Sequence, residues 1–136
     1  MMTPSEAVAQ LRENSIDVQS AISEVDPLSL GECALFEGEE DLCAAIQSEL
    51  SQAQLHFLQF RRAQLDNDVD AAQEALTACV TSSRERGGRD HTLEARARME
   101  WGLVCFALGE FEQAGVDLKW AMERLNALEE GSTAHG

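Results

Sequence analysis

The chain has 136 residues, a formal net charge of −15, and a composition that is 44% hydrophobic but only 5% aromatic, with no tyrosine. That length suits one domain with a core of its own, and the acidic balance excludes a surface that seeks nucleic-acid phosphates or an anionic membrane face. Proline occurs only at Pro4 and Pro27, Ala, Leu, Glu, Gln and Arg dominate, and the period-two runs that strands need are missing, so the predicted fold class is all-α.

Thr3-Pro4-Ser5-Glu6 reads as a helix start, with Thr3 as cap, Pro4 in the first turn and Glu6 completing a capping box. The spacing predicts a first helix over Pro4–Glu24 burying Val8, Leu11, Val18, Ile22 and Val25, loosened at Asn14-Ser15 and ended by Asp26-Pro27. Leu28–Gly38 reads as a packed connector. Glu39, Glu40 and Asp41 open a second helix, with their charge at the favourable end, and Leu42, Ile46, Leu50, Ala53, Phe57 and Phe60 carry it to Leu65. A turn at Asp66-Asn67-Asp68 leads to a third helix over Val69–Glu85, stopped by Gly87-Gly88. A fourth runs over Thr92–Leu108, turns at Gly109-Glu110, and is followed by a fifth over Phe111–Glu129. Short turns place sequential helices antiparallel. The expected architecture is an antiparallel helical-hairpin stack of about five helices in one domain. Residues 1–38 form an N-terminal helix and connector, 39–86 one hairpin, and 91–130 another.

Nothing in the pattern marks catalysis. Cys33 and Cys43 have nine residues between them, no Cys-x-x-Cys occurs, and His56, His91 and His135 share no ligand spacing with the cysteines. Cys79 and Cys105 fall on inward helix faces, where cysteine acts as a small hydrophobe. The glycine pair follows a helix rather than a strand, so it is no phosphate loop, and the Arg84, Arg86, Arg89 cluster is flanked by Glu85 and Asp90 and reads as a solvated loop. The expectation is no enzyme, no metal and no cofactor. Met1–Glu6 lacks the basic start and apolar core of a secretion signal, and no stretch has the apolar length of a membrane span, so a cytoplasmic protein with free thiols is expected.

The most regular segment runs from Ala95 to Leu125. Gly102 and Ala114 are small where two helices would cross, Gly109 sits at the turn, Phe111 follows it, and Leu118 and Ala121 complete the second helix. This pattern resembles a tetratricopeptide repeat. Trp101, Cys105 and Asn126 depart from it. A degenerate copy lies upstream: Phe60 answers Gly102, Asn67 answers Gly109, and Val69, Ala72 and Leu76 answer Phe111, Ala114 and Leu118, with 42 residues from Ala72 to Ala114. Residues before about Ala53 lie outside the resemblance.

The resemblance implies a partner-binding groove lined by the first helix of each hairpin: Phe57, Arg61 and Gln64 (with Gln54 and Leu65), then Arg96, Met99, Leu103 and Phe106. Such a groove suits an extended or helical segment; the alternative is that the N-terminal helix folds back and fills it. Val116 and Trp120 form a second stripe on the fifth helix, a surface for self-association into a dimer or for a partner. The expected function is protein–protein interaction, as an adaptor or assembly subunit, or as a small acidic chaperone of a secreted client, with an enzyme or metal-binding protein as the distant third reading.

Overall fold

The computed structural model describes residues 2–84 and 91–135, and the side chains of these except His91 and 128–135. The described residues form eight helices and no strand: α1 (Pro4–Arg12), α2 (Val18–Glu24), α3 (Pro27–Phe36), α4 (Glu40–Gln47), α5 (Gln52–Leu65), α6 (Val69–Arg84), α7 (His91–Ala107) and α8 (Phe111–His135). The all-α hairpin stack is as expected; the helix count and the N-terminal boundaries differ, for local reasons.

The first expected helix is two. Asn14 takes φ 58°, and the Asn14 and Ser15 N–H groups donate back to the carbonyls of Leu11 and Gln10, closing α1. Asp17 then caps α2, accepting from the Ser20 N–H at 2.8 Å, which holds the Asp17 carboxyl below its usual range. The connector is itself a helix. Pro27 does not only end what precedes it; it occupies the first turn of α3, while Asp26 is non-helical (φ −54°, ψ 128°) and accepts from the Ser29 N–H at 3.0 Å. Gly31 is a weak helix former; a Cβ there would stand 3.4 Å from the Leu58 side chain, an ordinary contact, which places Gly31 where α3 packs on α5. The long second helix is broken before Ser51, which forms a capping box with Gln54: the Gln54 N–H donates to Ser51 Oγ at 3.2 Å and the Ser51 N–H to Gln54 Oε1 at 2.9 Å.

The architecture is therefore three consecutive hairpins, α3/α4, α5/α6 and α7/α8, with α1 packed on α3 and α2 on α1. Their turns are built alike. Gly38 (φ 73°), Asn67 (φ 56°) and Gly109 (φ 83°) each take the left-handed conformation. Each donates its N–H to the carbonyl three residues back (Leu35, Gln64, Phe106), and the next residue donates five back (Ala34, Ala63, Cys105). Five residues after each turn a small side chain is buried: Cys43, Ala72 and Ala114. The continuous core lies between α1 and α7, where Val8, Leu30, Ile46, Phe57, Phe60 and Leu76 pack together. The outer hairpin buries mainly small residues, Ala114 and Ala121 on α8. Two buried carboxylates are paired: Glu94 with Arg84 at 3.2 Å and Asp117 with Arg98 at 3.3 Å. Among the described residues no helix is long and apolar enough to cross a membrane.

Candidate functional site

The first helices of the three hairpins, α3, α5 and α7, run in the same direction. Arg96 lies over Phe57 and Arg61 reaches Glu100, so α5 and α7 are in parallel register. Gly31 meets Leu58, Glu32 meets Arg61, and the Arg62–Glu40 pair ties the start of α4 to the end of α5, which sets α3 parallel to both.

This shared face has two halves. The lower half is closed. Glu32 ion-pairs with Arg61 Nε at 3.3 Å and with Arg96 Nη2 at 3.2 Å, and Arg61 also reaches Glu100 at 3.2 Å. Beneath them Phe57 and Phe60 pack edge to face at 5.7 Å, with the Arg96 guanidinium 4.4 Å and that of Arg61 5.1 Å from the Phe57 centroid. Phe57 is 0% exposed. Of the residues the resemblance places in a groove, Phe57, Arg61 and Arg96 are thus joined in one network, which Glu32 on α3 completes. Arg61 Nε is buried and faces Glu32 without the alignment of a hydrogen bond. Gln64 is exposed and accepts from Arg61 Nη1 at 2.9 Å; Met99 is half-buried.

The upper half, one helical turn further along each helix, is open. Leu103 is 50% and Phe106 59% exposed, and Phe106 meets the 62% exposed Phe111 edge to face at 5.3 Å. Phe36 follows Glu32 by four residues on α3 and Leu65 follows Arg61 by four on α5, which sets each over the network on its own helix; both are more than half exposed. Leu65, Leu103 and Phe106 are expected groove residues; Glu32 and Phe36 are not, because 28–38 reads as a connector. One signal was available: the Gly31–Gly38 interval equals the Gly102–Gly109 interval.

Val116 is 60% exposed, and the Arg98 guanidinium lies 3.8 Å from the Trp120 ring, with that of Arg124 at 5.4 Å. One face of this tryptophan is already occupied by a cation of its own chain. An open cleft of about 410 Å³ between α6, α7 and α8 is lined by Thr77, Thr81, Arg84, Arg98, Trp101 and Asp117. Its arginines are the two paired with Glu94 and Asp117.

Among the described residues no group of three His, Cys, Asp or Glu side chains is placed to hold a metal. His56 is engaged by Gln52 at 3.1 Å and Gln59 at 3.0 Å. The Cys33 thiol is pushed up to about 11 by burial and by its hydrogen bond to Glu37, and burial also raises Cys105, so neither is a thiolate at neutral pH. The expected loop with Arg86 and Arg89, and the side chains of His91 and His135, lie outside the described residues. The chain matches no protein-family model, no curated protein and no solved structure.

Proposed function

We propose that this chain is a helical-repeat binding module of the tetratricopeptide kind, an adaptor or assembly subunit that holds a segment of another protein. The observation that carries this reading is the exposed run Leu103–Phe106–Phe111 beside a completed core. Large apolar side chains left in contact with one another and with water mark a surface made to be covered. The binding face is the open upper half of the shared α3/α5/α7 face; the ion network below it serves as a rigid floor. The small buried residue five places after each hairpin turn supports the repeat reading independently of the face itself; the turn hydrogen bonds alone do not, since Asn14 closes α1 in the same way.

The test uses the immobilised chain and lysate of its native host. A partner retained by the unaltered chain and by Val116→Glu, but lost from Leu103→Glu/Phe106→Glu, supports the reading. Retention by the double variant sinks the assignment to this face, and a chain that retains nothing counts against a binding module.

A further inference from the structure

The three hairpin turns share a composition in which carboxylates that also serve the helix N-termini surround exposed apolar side chains. They lie at the same end of the stack and read Phe36-Glu37-Gly38-Glu39-Glu40-Asp41, Gln64-Leu65-Asp66-Asn67-Asp68-Val69-Asp70, and Phe106-Ala107-Leu108-Gly109-Glu110-Phe111-Glu112. Each sets large exposed apolar side chains among carboxylates, and none contains a lysine or arginine. The nearby cations are already spent: Arg12 on Glu37 and Glu39, Arg62 on Glu40, Arg61 on Glu32 and Glu100. Asp66, Asp70, Glu110 and Glu112 are exposed and meet no cation among the described residues.

From this we infer that the turn end of the stack docks a cationic amphipathic segment of another protein, apolar on one side and flanked by lysine or arginine. The inference rests on the binding-module reading and names its partner class. The apolar residues supply the contact area, and the ring of carboxylates supplies attraction and orientation. The charges also decide against other occupants. A second copy placed turn end to turn end would set the same carboxylates against each other, on a chain that carries −15. An anionic membrane face is repelled for the same reason.

The probe is a fluorescein-labelled synthetic helix of leucine and lysine, about 15 residues long so that it can form a helix, with a leucine–glutamate helix as its counterpart. Anisotropy titration of the full chain should show the lysine helix binding, with several-fold weakening as salt screens the carboxylates. Phe106→Ser/Phe111→Ser should weaken it at least ~10-fold, as hot-spot removal does. Asp66→Asn/Asp70→Asn/Glu110→Gln/Glu112→Gln should do the same. Glu24→Gln/Glu49→Gln/Glu74→Gln/Glu123→Gln removes as much charge from exposed sites elsewhere and should leave binding within about 2-fold. Asp70 and Glu112 lie in the first turns of α6 and α8, so small losses of stability are expected, and a single cooperative unfolding transition well above the assay temperature certifies each variant. Equal weakening by both charge variants, or equal binding of the glutamate helix, overturns the inference. If the glutamate helix binds as well while Leu103→Glu/Phe106→Glu still loses the cellular partner, the binding face stands and only the partner class falls. Dimer formation that the Phe106→Ser/Phe111→Ser change abolishes would make a second copy the occupant and overturn it as well.

Discussion

Gly102 on α7 faces Leu118 on α8 so closely that a Cβ on Gly102 would stand 2.8 Å from Leu118 Cγ and 3.3 Å from the Leu118 backbone nitrogen. The first contact is near the root of the side chain and the second is main chain, so neither can swing away. Alanine is the better helix former by about 1 kcal/mol, yet overpacking a fitted contact costs about 1–3 kcal/mol, and the clash wins. Gly102→Ala should therefore lower stability by up to about 2 kcal/mol, the overpacking cost less the gain in helix propensity. Gly115 is the internal control: a Cβ there meets nothing within 4 Å. Gly115→Ala should raise stability by about 0.5–1 kcal/mol. Urea unfolding of the two variants checks the opposite signs; a stabilised Gly102→Ala would mean that the helices can separate freely.

The three turns make a second, graded expectation. Gly38 and Gly109 have positive φ and open space around the Cβ position, so only backbone strain opposes a side chain there. Gly38→Ala and Gly109→Ala should each cost about 1 kcal/mol. Asn67 already bears the left-handed conformation, which asparagine tolerates. Asn67→Gly should stay within about 0.5 kcal/mol of the native chain, whereas Asn67→Val should cost about 1–2 kcal/mol. Thermal unfolding of the four variants orders them, and equal losses at Asn67→Gly and Asn67→Val would show that the Asn67 side chain itself is needed.

How far the sequence was legible follows from which signals are local. The α7/α8 hairpin was readable because Gly102, Gly109 and Ala114 mark a close crossing and a turn within a few residues of each other. The Asp66-Asn67-Asp68 turn was readable for the same reason. Helix α3 is not legible because Gly31 and Pro27 both look like helix breakers by propensity; Pro27 fits the first turn behind the Asp26 cap, and Gly31 is tolerated inside a helix that packs on α5. The Ser51–Gln54 capping box was a local signal hidden by an unbroken apolar pattern across it. Of the expected site, Leu103 and Phe106 are open, but whether Phe57 and Arg61 would be open or roofed depended on a long-range partner, Glu32, that periodicity on one helix cannot reveal.

That partner sets the third prediction. Glu32 is the carboxylate shared by Arg61 and Arg96, and the Glu32 and Arg61 side chains are only 13% and 16% exposed. Removing one member of a mostly buried ion network leaves charge without compensation. Glu32→Ala should cost about 2–4 kcal/mol, and Glu32→Gln, which keeps the shape and loses the charge, should fall between it and the native chain. Glu40→Ala removes the partner of the exposed Arg62 at 2.7 Å and should cost less than about 1 kcal/mol. Urea midpoints compare the three. Equal effects of Glu32→Ala and Glu40→Ala would show that the network is solvated in practice and that the floor of the binding face is soft.

Cys33 gives the pH dependence. Its thiol donates to Glu37 Oε2 at 3.0 Å, and burial together with that carboxylate lifts it from the ordinary 9.0 to about 11. A group whose folded pKa is raised holds its proton more tightly in the fold, so its stabilising effect is whole below the unfolded pKa and is lost as pH rises through the folded one. The window is therefore from about pH 9 to about pH 11, and stability falls with rising pH across it. Cys105 is shifted in the same direction and remains in a Cys33→Ala variant, so the difference between the native chain and that variant isolates Cys33. The urea midpoint of the native chain should fall more steeply over the window than that of Cys33→Ala. Alkylation of Cys33 by iodoacetamide should be slow at pH 8 and accelerate only toward pH 11, because the thiolate is the nucleophile. Parallel midpoints, or rapid alkylation at pH 8, would show that Cys33 is solvated and that its bond to Glu37 does not hold in solution.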